Sequence, residues 1–273
     1  MGRGNAMKTP IRWAGSKKAL LPSLRALWPG PDARYVEPFC GSACFFFDVA
    51  PKSAVLGDIN SELITTYRAL KADFGLVLEC LRRLKLGKRS YYRLRSIDPA
   101  SLSEPEQAAR FLFLNRFCFN GIYRTNAAGT FNVPYGDPKG TVSFNIELLR
   151  EAASLLKSAT LINGDFEKVL DEAQAGDFVY LDPPYAVAKR RVFAEYHPDS
   201  FSERDIDRLN VALERLDARG VTFVLSYADS AEGRSVSDRW YSRRVRARRN
   251  VAGFAGDRKF SYEILASNRE LVQ

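Results

Sequence analysis

With 273 residues, the chain can bury a substantial core and carry one moderate insertion. Lys and Arg outnumber Asp and Glu by 41 to 32, and the resulting net charge of +9 favours a polyanionic partner. Four cysteines without a Cys-x-x-Cys pair and a single histidine, His197, argue against a zinc site, and no apolar run reaches the length of a membrane span; with no charged-then-apolar leader, a reduced, cytoplasmic or nucleoid-associated protein is expected.

Along the chain, Tyr35 to Phe39 reads as a buried strand running into Cys40-Gly41-Ser42-Ala43, a small-residue turn that lets a ligand approach the backbone closely. Ala54-Val55-Leu56 is a second strand, ending in Gly57-Asp58 about twenty residues on, the usual spacing for an acid that grips a ribose diol. Residues 61–149 then form a largely helical, loop-rich stretch in which Phe111 to Leu114 has the look of a core helix. Asn115 to Asn126 alternates aromatic and polar groups around Gly121, with Arg116 and Arg124 available for phosphates or a guanine edge. Strand character returns at Thr160-Leu161-Ile162, followed by Asp165 and Phe166, an acid and a ring suited to an adenine amino group and face.

The strand Phe178 to Leu181 delivers Asp182-Pro183-Pro184-Tyr185 to the carboxyl edge of the sheet, where open α/β sheets bind ligands. The Asp182 carboxylate and the Pro183 carbonyl can each accept one N–H of an exocyclic amino group, while Tyr185 stacks on the ring that bears it. The two prolines fix φ and keep the loop out of the pocket. Further on, Ser202 and Asp205 form a capping box for a helix with Ile206, Leu209, Leu213 and Leu216 on one face, ended by Gly220. Val221 to Leu225 and Tyr262 to Leu265 complete the strands. Between them, Arg239 to Arg249 alternates like a strand from Arg244 onward, either to neutralise phosphates or as a charged, solvated edge.

Taken together, Trp13-Ala14-Gly15-Ser16-Lys17, Glu37 to Ala43, Gly57 to Asn60, Asn115 to Asn126, Phe131 to Gly136, Gly164-Asp165-Phe166 and Asp182 to Tyr185 resemble the Dam-type (D12 class) DNA adenine-N6 methyltransferases, in the family's order from about Pro10 to about Ser267. The resemblance implies a Rossmann-like α/β methyltransferase sheet with helices on both faces, built from 1–60 and 150–273, and an inserted, mainly helical target-recognition domain over 61–149. It implies methyl transfer from S-adenosylmethionine to N6 of a flipped adenine in double-stranded DNA, with GATC as the family's expected site. The enzyme would be solitary or paired with a separate restriction endonuclease. RNA adenine, cytosine N4 and an inactive DNA-binding relative stand as alternatives.

In that frame Asp182, Pro183 and Tyr185 are the catalytic group. Trp13, Lys17, Phe39, Gly41, Asp58, Asp165 and Phe166 hold the cofactor, Lys17 pairing with the cofactor carboxylate or with Asp182. Phe119, Asn120, Arg124, Pro134 and Tyr135 lie at the DNA, with Arg124 the first choice for a base contact. Three departures from the family pattern stand out. Ala43 replaces a common glycine, which is tolerable if its φ stays negative. Ala186 to Arg191 replaces a Pro and Ser/Thr stretch before Phe193 and Tyr196 resume the pattern, and Tyr227 stands where relatives often have Asn. The last two leave catalysis intact and put sequence preference in doubt.

Overall fold

The computed structural model describes residues 9–126, 129–138, 143–185, 201–248 and 260–271. Its strands are β1 (Tyr35–Glu37), β2 (Ala54–Asp58), β3 (Ala159–Asn163), β4 (Phe178–Leu181), β5 (Thr222–Ala228), β6 (Tyr241–Arg248) and β7 (Phe260–Ser267). They form one sheet in the order β3-β2-β1-β4-β5-β7-β6. The first five are parallel, and β7 runs antiparallel between β5 and β6. This is the Rossmann-like α/β sheet that the sequence led us to expect. The order reverses between β1 and β4, so the loops leaving their carboxyl ends diverge and open a crevice.

Alternate residues explain why these strands read as unbroken apolar runs. Tyr35, Leu56, Phe178 and Tyr180 face one core, while Val36, Val55, Val179 and Leu181 face the other. The helices are α1 (Leu21–Arg25), α2 (Cys44–Val49), α3 (Ser61–Ala72), α4 (Phe74–Arg83), α5 (Lys88–Arg95), α6 (Glu104–Phe117), α7 (Ile146–Leu156), α8 (Phe166–Leu170), α9 (Glu203–Ala218) and α10 (Ala231–Ser237), and all but α5 pack on these faces. Side chains of α1 to α4, α6 and α7 fill the first core, and those of α8 to α10 fill the second. The expected capping box is in place at α9, where the Ser202 N–H donates to Asp205 at 2.8 Å.

The stretch 61–149 divides between cores. Leu63, Ile64, Tyr67 and Leu70 of α3 are buried against the sheet, and the Tyr67 hydroxyl donates to the Gly41 carbonyl at 2.8 Å. A separate core gathers Tyr91, Leu94, Phe113, Leu114, Phe117, Phe131 and Val133. Helix α6 serves both, because Phe111 and Leu112 face the first core and its next two residues the third. Buried Arg110 fastens the junction: it donates to Glu62 at 2.6 Å and to the Leu94 carbonyl at 2.9 Å. No helix among the described residues is long and apolar enough to cross a membrane.

Only β4 keeps the limits read from the sequence, and two of the differences have a plain local cause. β1 stops at Glu37 because Pro38 has no N–H to give a ladder. β6 begins at Tyr241, earlier than Arg244, because pairing with β7 extends to Ser267. The stretch from Ala186 to Tyr196, and Arg249, lie outside the described residues.

Candidate active site

A cavity of about 560 Å³ opens at the carboxyl edge between the ends of β1, β2 and β4. Trp13, Lys17, Phe39, Gly41, Asp58, Asp165, Phe166, Asp182, Pro183 and Tyr185 all line it, so ten residues singled out from the sequence converge on one space. Its size falls within the roughly 300–1,000 Å³ of small-molecule sites.

The three acids at strand ends have three different environments. Asp58 accepts the backbone N–H of Gly41 and that of Asn60, each at 2.9 Å, and so fixes the turn after β1 to the end of β2. Burial raises its pKa, against the pull of those two N–H groups. Asp165 caps α8 through the Glu167 N–H at 3.0 Å and accepts from Arg208 at 2.6 Å. Asp182 meets Lys17 Nζ at 2.9 Å and accepts the Ser226 hydroxyl at 3.2 Å. Burial pushes the Asp182 carboxyl up to about 6, even with Lys17 drawing it down.

Lys17 is buried at 5% exposure, at the start of a 3-10 turn, Lys17–Leu20. Of the two partners considered for it, the structure supplies Asp182. Its ammonium also donates to the Tyr185 hydroxyl at 2.7 Å and lies 3.4 Å from Glu263 of β7. Burial alone would lower its pKa, but Asp182, Tyr185 and Glu263 raise it above the ordinary value, so Lys17 is a fixed cation. Tyr227, the residue in place of Asn, packs its buried ring 5.2 Å from Tyr185 and supports it from behind.

The remaining wall is aromatic. Phe39 stacks on Phe166 at 5.3 Å, Phe201 closes the group, and the Arg208 guanidinium lies 4.8 Å over the Phe166 ring. Opposite, Trp13 abuts the turn after β1: a Cβ on Gly41, where φ is +44°, would come within 2.6 Å of the indole nitrogen. Glycine is therefore required at 41. Ala43 does not keep a negative φ; at 48° it is left-handed and caps α2. The strain, about 1 kcal/mol, is held by a fully buried position in the first core.

Phe119, Asn120, Arg124, Pro134 and Tyr135 sit apart from the cavity on one hairpin. Its arms meet through Phe119 N–H to the Pro134 carbonyl at 2.9 Å and through a bridge between Thr125 and Phe131. Phe119 is 47% exposed, and Asn120 and Pro134 are exposed too. Asn120 holds φ at 53°, a conformation asparagine tolerates. Arg124 Nε donates to Asn132 at 2.8 Å. Tyr135 is half-buried against Tyr91, which gives it a packing role.

The residues that join hairpin to cavity were not distinguished in the sequence. Tyr123 stacks on Trp13 at 5.8 Å and donates to Glu62 at 3.1 Å, while Asn115 clamps the Arg12 backbone through both its N–H (2.8 Å) and its carbonyl (2.6 Å). A Cβ on Gly121 would meet the Arg12 side chain at 2.6 Å, so this strap also explains that glycine. Glu37 is a further missed residue, a buried carboxyl bonded by the Tyr35 hydroxyl at 3.0 Å. Burial holds it well above the usual carboxylate range. In the basic segment, Arg244 pairs with Asp229 at 2.6 Å and lies over Tyr262, so part of that charge is internally matched.

Comparison with known proteins shows the family. Residues 13–251 match the model of the D12 class N6 adenine-specific DNA methyltransferases. The chain is similar to the type II methyltransferase M1.LlaDCHI of Lactococcus lactis subsp. cremoris, 36% identical with 94% of each chain covered. It is 34% identical to the retron Ec67 DNA adenine methylase of Escherichia coli, over 95% of this chain and 91% of that one. It is 31% identical to the DNA adenine methylase of Escherichia coli K12, over 94% and 93%. The chain belongs to the D12 class of adenine-specific DNA methyltransferases.

Proposed function

We propose that the protein transfers a methyl group from S-adenosylmethionine to N6 of an adenine flipped out of duplex DNA. The observation that carries this reading is the placement of Asp182, Pro183 and Tyr185 in one cavity with the acids and rings of three other strand ends. The cavity fits the cofactor: Gly41 brings backbone to its wall, Asp58 stands at the end of β2, and Asp165 and Phe166 stand at the end of β3. Trp13, Lys17 and Phe39 complete the holding set. When bound, the sulfonium supplies an already activated methyl group, which leaves the protein to align the acceptor.

The residues do that work as follows. Ionised Asp182 and the Pro183 carbonyl accept the two amino N–H groups, so the nitrogen lone pair turns toward the methyl carbon. As the nitrogen–carbon bond forms and the methyl–sulfur bond breaks to leave S-adenosylhomocysteine, the nitrogen becomes positive opposite a carboxylate that is already oriented by Lys17 and Ser226; one amino proton is then released, by way of Asp182, to solvent. Tyr185, held by Lys17 and Tyr227, stacks on the base and offsets part of the few kcal/mol that flipping costs.

For the reading of DNA we assign the segment from α5 to Phe144, whose own core is distinct from that of the sheet. The wider stretch 61–149 includes α3, which packs on the sheet. Arg124 and Asn120 contact the DNA with Phe119 and Pro134 beside them, and Tyr135 supports that hairpin. GATC is the site to test first, in an enzyme acting alone or beside a cognate restriction endonuclease in the cytoplasm. Incubation with labelled S-adenosylmethionine and unmethylated duplex DNA, with RNA in parallel, followed by nucleoside mass spectrometry, tests this. N6-methyladenine in DNA is expected. N4-methylcytosine, or label confined to RNA, would overturn the substrate.

A further inference from the structure

Glu263 lies in the middle of β7, paired across to Ala228 of β5 and Val245 of β6, far in sequence from every residue of the transfer group. Its side chain is 7% exposed, and its Oε2 has no hydrogen-bond partner among the described residues. Lys17 lies beside it, with Nζ at 3.4 Å. A buried ion pair at that distance gains little over apolar packing, so fold stability is a poor reason for an acid here. The site supplies a better one.

Lys17 already has a partner in Asp182, at 2.9 Å. Lys17 offsets much of the Asp182 charge, so the pair attracts a positive charge forming on the substrate amino group more weakly than a lone carboxylate would. With Glu263 the group Lys17, Asp182, Glu263 carries a net charge of −1 among the residues that surround the reacting nitrogen. Glu37 does not substitute for it, because burial holds it toward the neutral form against the pull of the Tyr35 hydroxyl. Cys44 on the same wall is a thiol pushed up to about 12, and Tyr185 is likewise raised by burial, so both stay uncharged near neutral pH.

We propose that Glu263 is a positioning residue of the methyl-transfer centre: it holds Lys17 against Asp182 and Tyr185 and gives the buried cluster the net negative charge that favours the developing cation. The inference rests on the transfer reading of this cavity. In it, Glu263 acts through Lys17 and touches neither substrate nor cofactor.

Single-turnover methyl transfer at saturating S-adenosylmethionine and duplex DNA, measured for the wild type, Glu263→Gln and Glu263→Asp, tests the proposal. Glutamine keeps the size and removes the charge, and is expected to slow transfer about tenfold or more with DNA affinity unchanged. Aspartate keeps the charge and is expected to retain more activity than glutamine. Loss of a neighbouring anion also lowers the Asp182 pKa, so the acid limb of the rate profile is expected to move to lower pH in Glu263→Gln, a shift that a merely structural defect would not give. Addition of Lys17→Met restores the net charge, so the cost of Glu263→Gln is expected to be smaller in that background than in the wild type; if the single glutamine variant folds poorly, the charge-keeping Glu263→Asp still tests the proposal, and a loss there as large as that of Glu263→Gln would overturn it. Equal rates for wild type and glutamine, or an equal cost in both backgrounds, would overturn the proposal. A wild type that transfers no methyl would instead overturn the reading of the cavity.

Discussion

The carboxyl edge of the sheet and the hairpin from Cys118 to Gly136 both carry residues assigned to function, but they hold them in opposite ways. At the edge, Asp58, Asp165 and Asp182 are each fixed by two or more partners before any ligand arrives. On the hairpin, Phe119, Asn120 and Pro134 are exposed, and their order comes from the backbone beneath them. Preorganisation suits a step whose geometry is the same at every turnover. Exposed groups on a backbone frame suit contact with a large partner, where the surface has to match bases and phosphates. Substitutions at the edge should therefore change rate, and substitutions on the hairpin should change choice.

The largest effect is expected for Asp182→Ala. Loss of the charged acceptor should reduce methyl transfer by about 10²–10³-fold and leave DNA binding largely intact. Near-wild-type turnover would remove Asp182 from the chemistry and collapse the contrast. On the hairpin, Arg124→Ala should relax discrimination at one base pair by about 1–3 kcal/mol, seen as competition between sites that differ at that pair. A uniform loss across sequences would make Arg124 a phosphate contact.

Tyr123 belongs to both regions, since its ring reaches Trp13 and its hydroxyl reaches Glu62. Tyr123→Phe should cost about 1 kcal/mol in thermal or denaturant unfolding, with site choice unchanged. A change in site choice would show that the two regions are coupled through this ring. The smallest effect is expected for Ala43→Gly. Relief of left-handed strain, less the lost methyl packing and the freer unfolded chain, should raise stability by up to about 1 kcal/mol. Destabilisation would mean that the buried methyl outweighs the strain.

The contrast also explains what the sequence could reveal. Strand ends are local signals: an apolar run followed by Gly-Asp, Asp-Phe or Asp-Pro-Pro-Tyr marks a position at the edge of a sheet, and the parallel order then brings those positions together. The capping box at Ser202 is equally local. Ser226 and Glu263 were hidden because nothing near them in sequence signals a partner; Ser226 reaches Asp182 through the pairing of β4 and β5, and Glu263 reaches Lys17 through that of β5 and β7. Asn115 stood in a segment read as facing DNA, yet its side chain is committed to the backbone of Arg12, 103 residues away. The left-handed φ of Ala43 was invisible for a related reason, since an alanine in sequence favours negative φ and only the surrounding core imposes the other value.

The measurement that bears most directly on the transfer centre is kcat/KM for duplex DNA as a function of pH, for the wild type and for Lys17→Met. Asp182 has to be ionised to accept the amino group, and its carboxyl sits at about 6 in the free protein, so activity should rise with pH through that value. Lys17 draws that carboxyl down, so its removal should move the limb to higher pH as well as slow the reaction. A profile flat through this range, or a limb that moves to lower pH in Lys17→Met, would contradict a mechanism built on the Lys17–Asp182 pair.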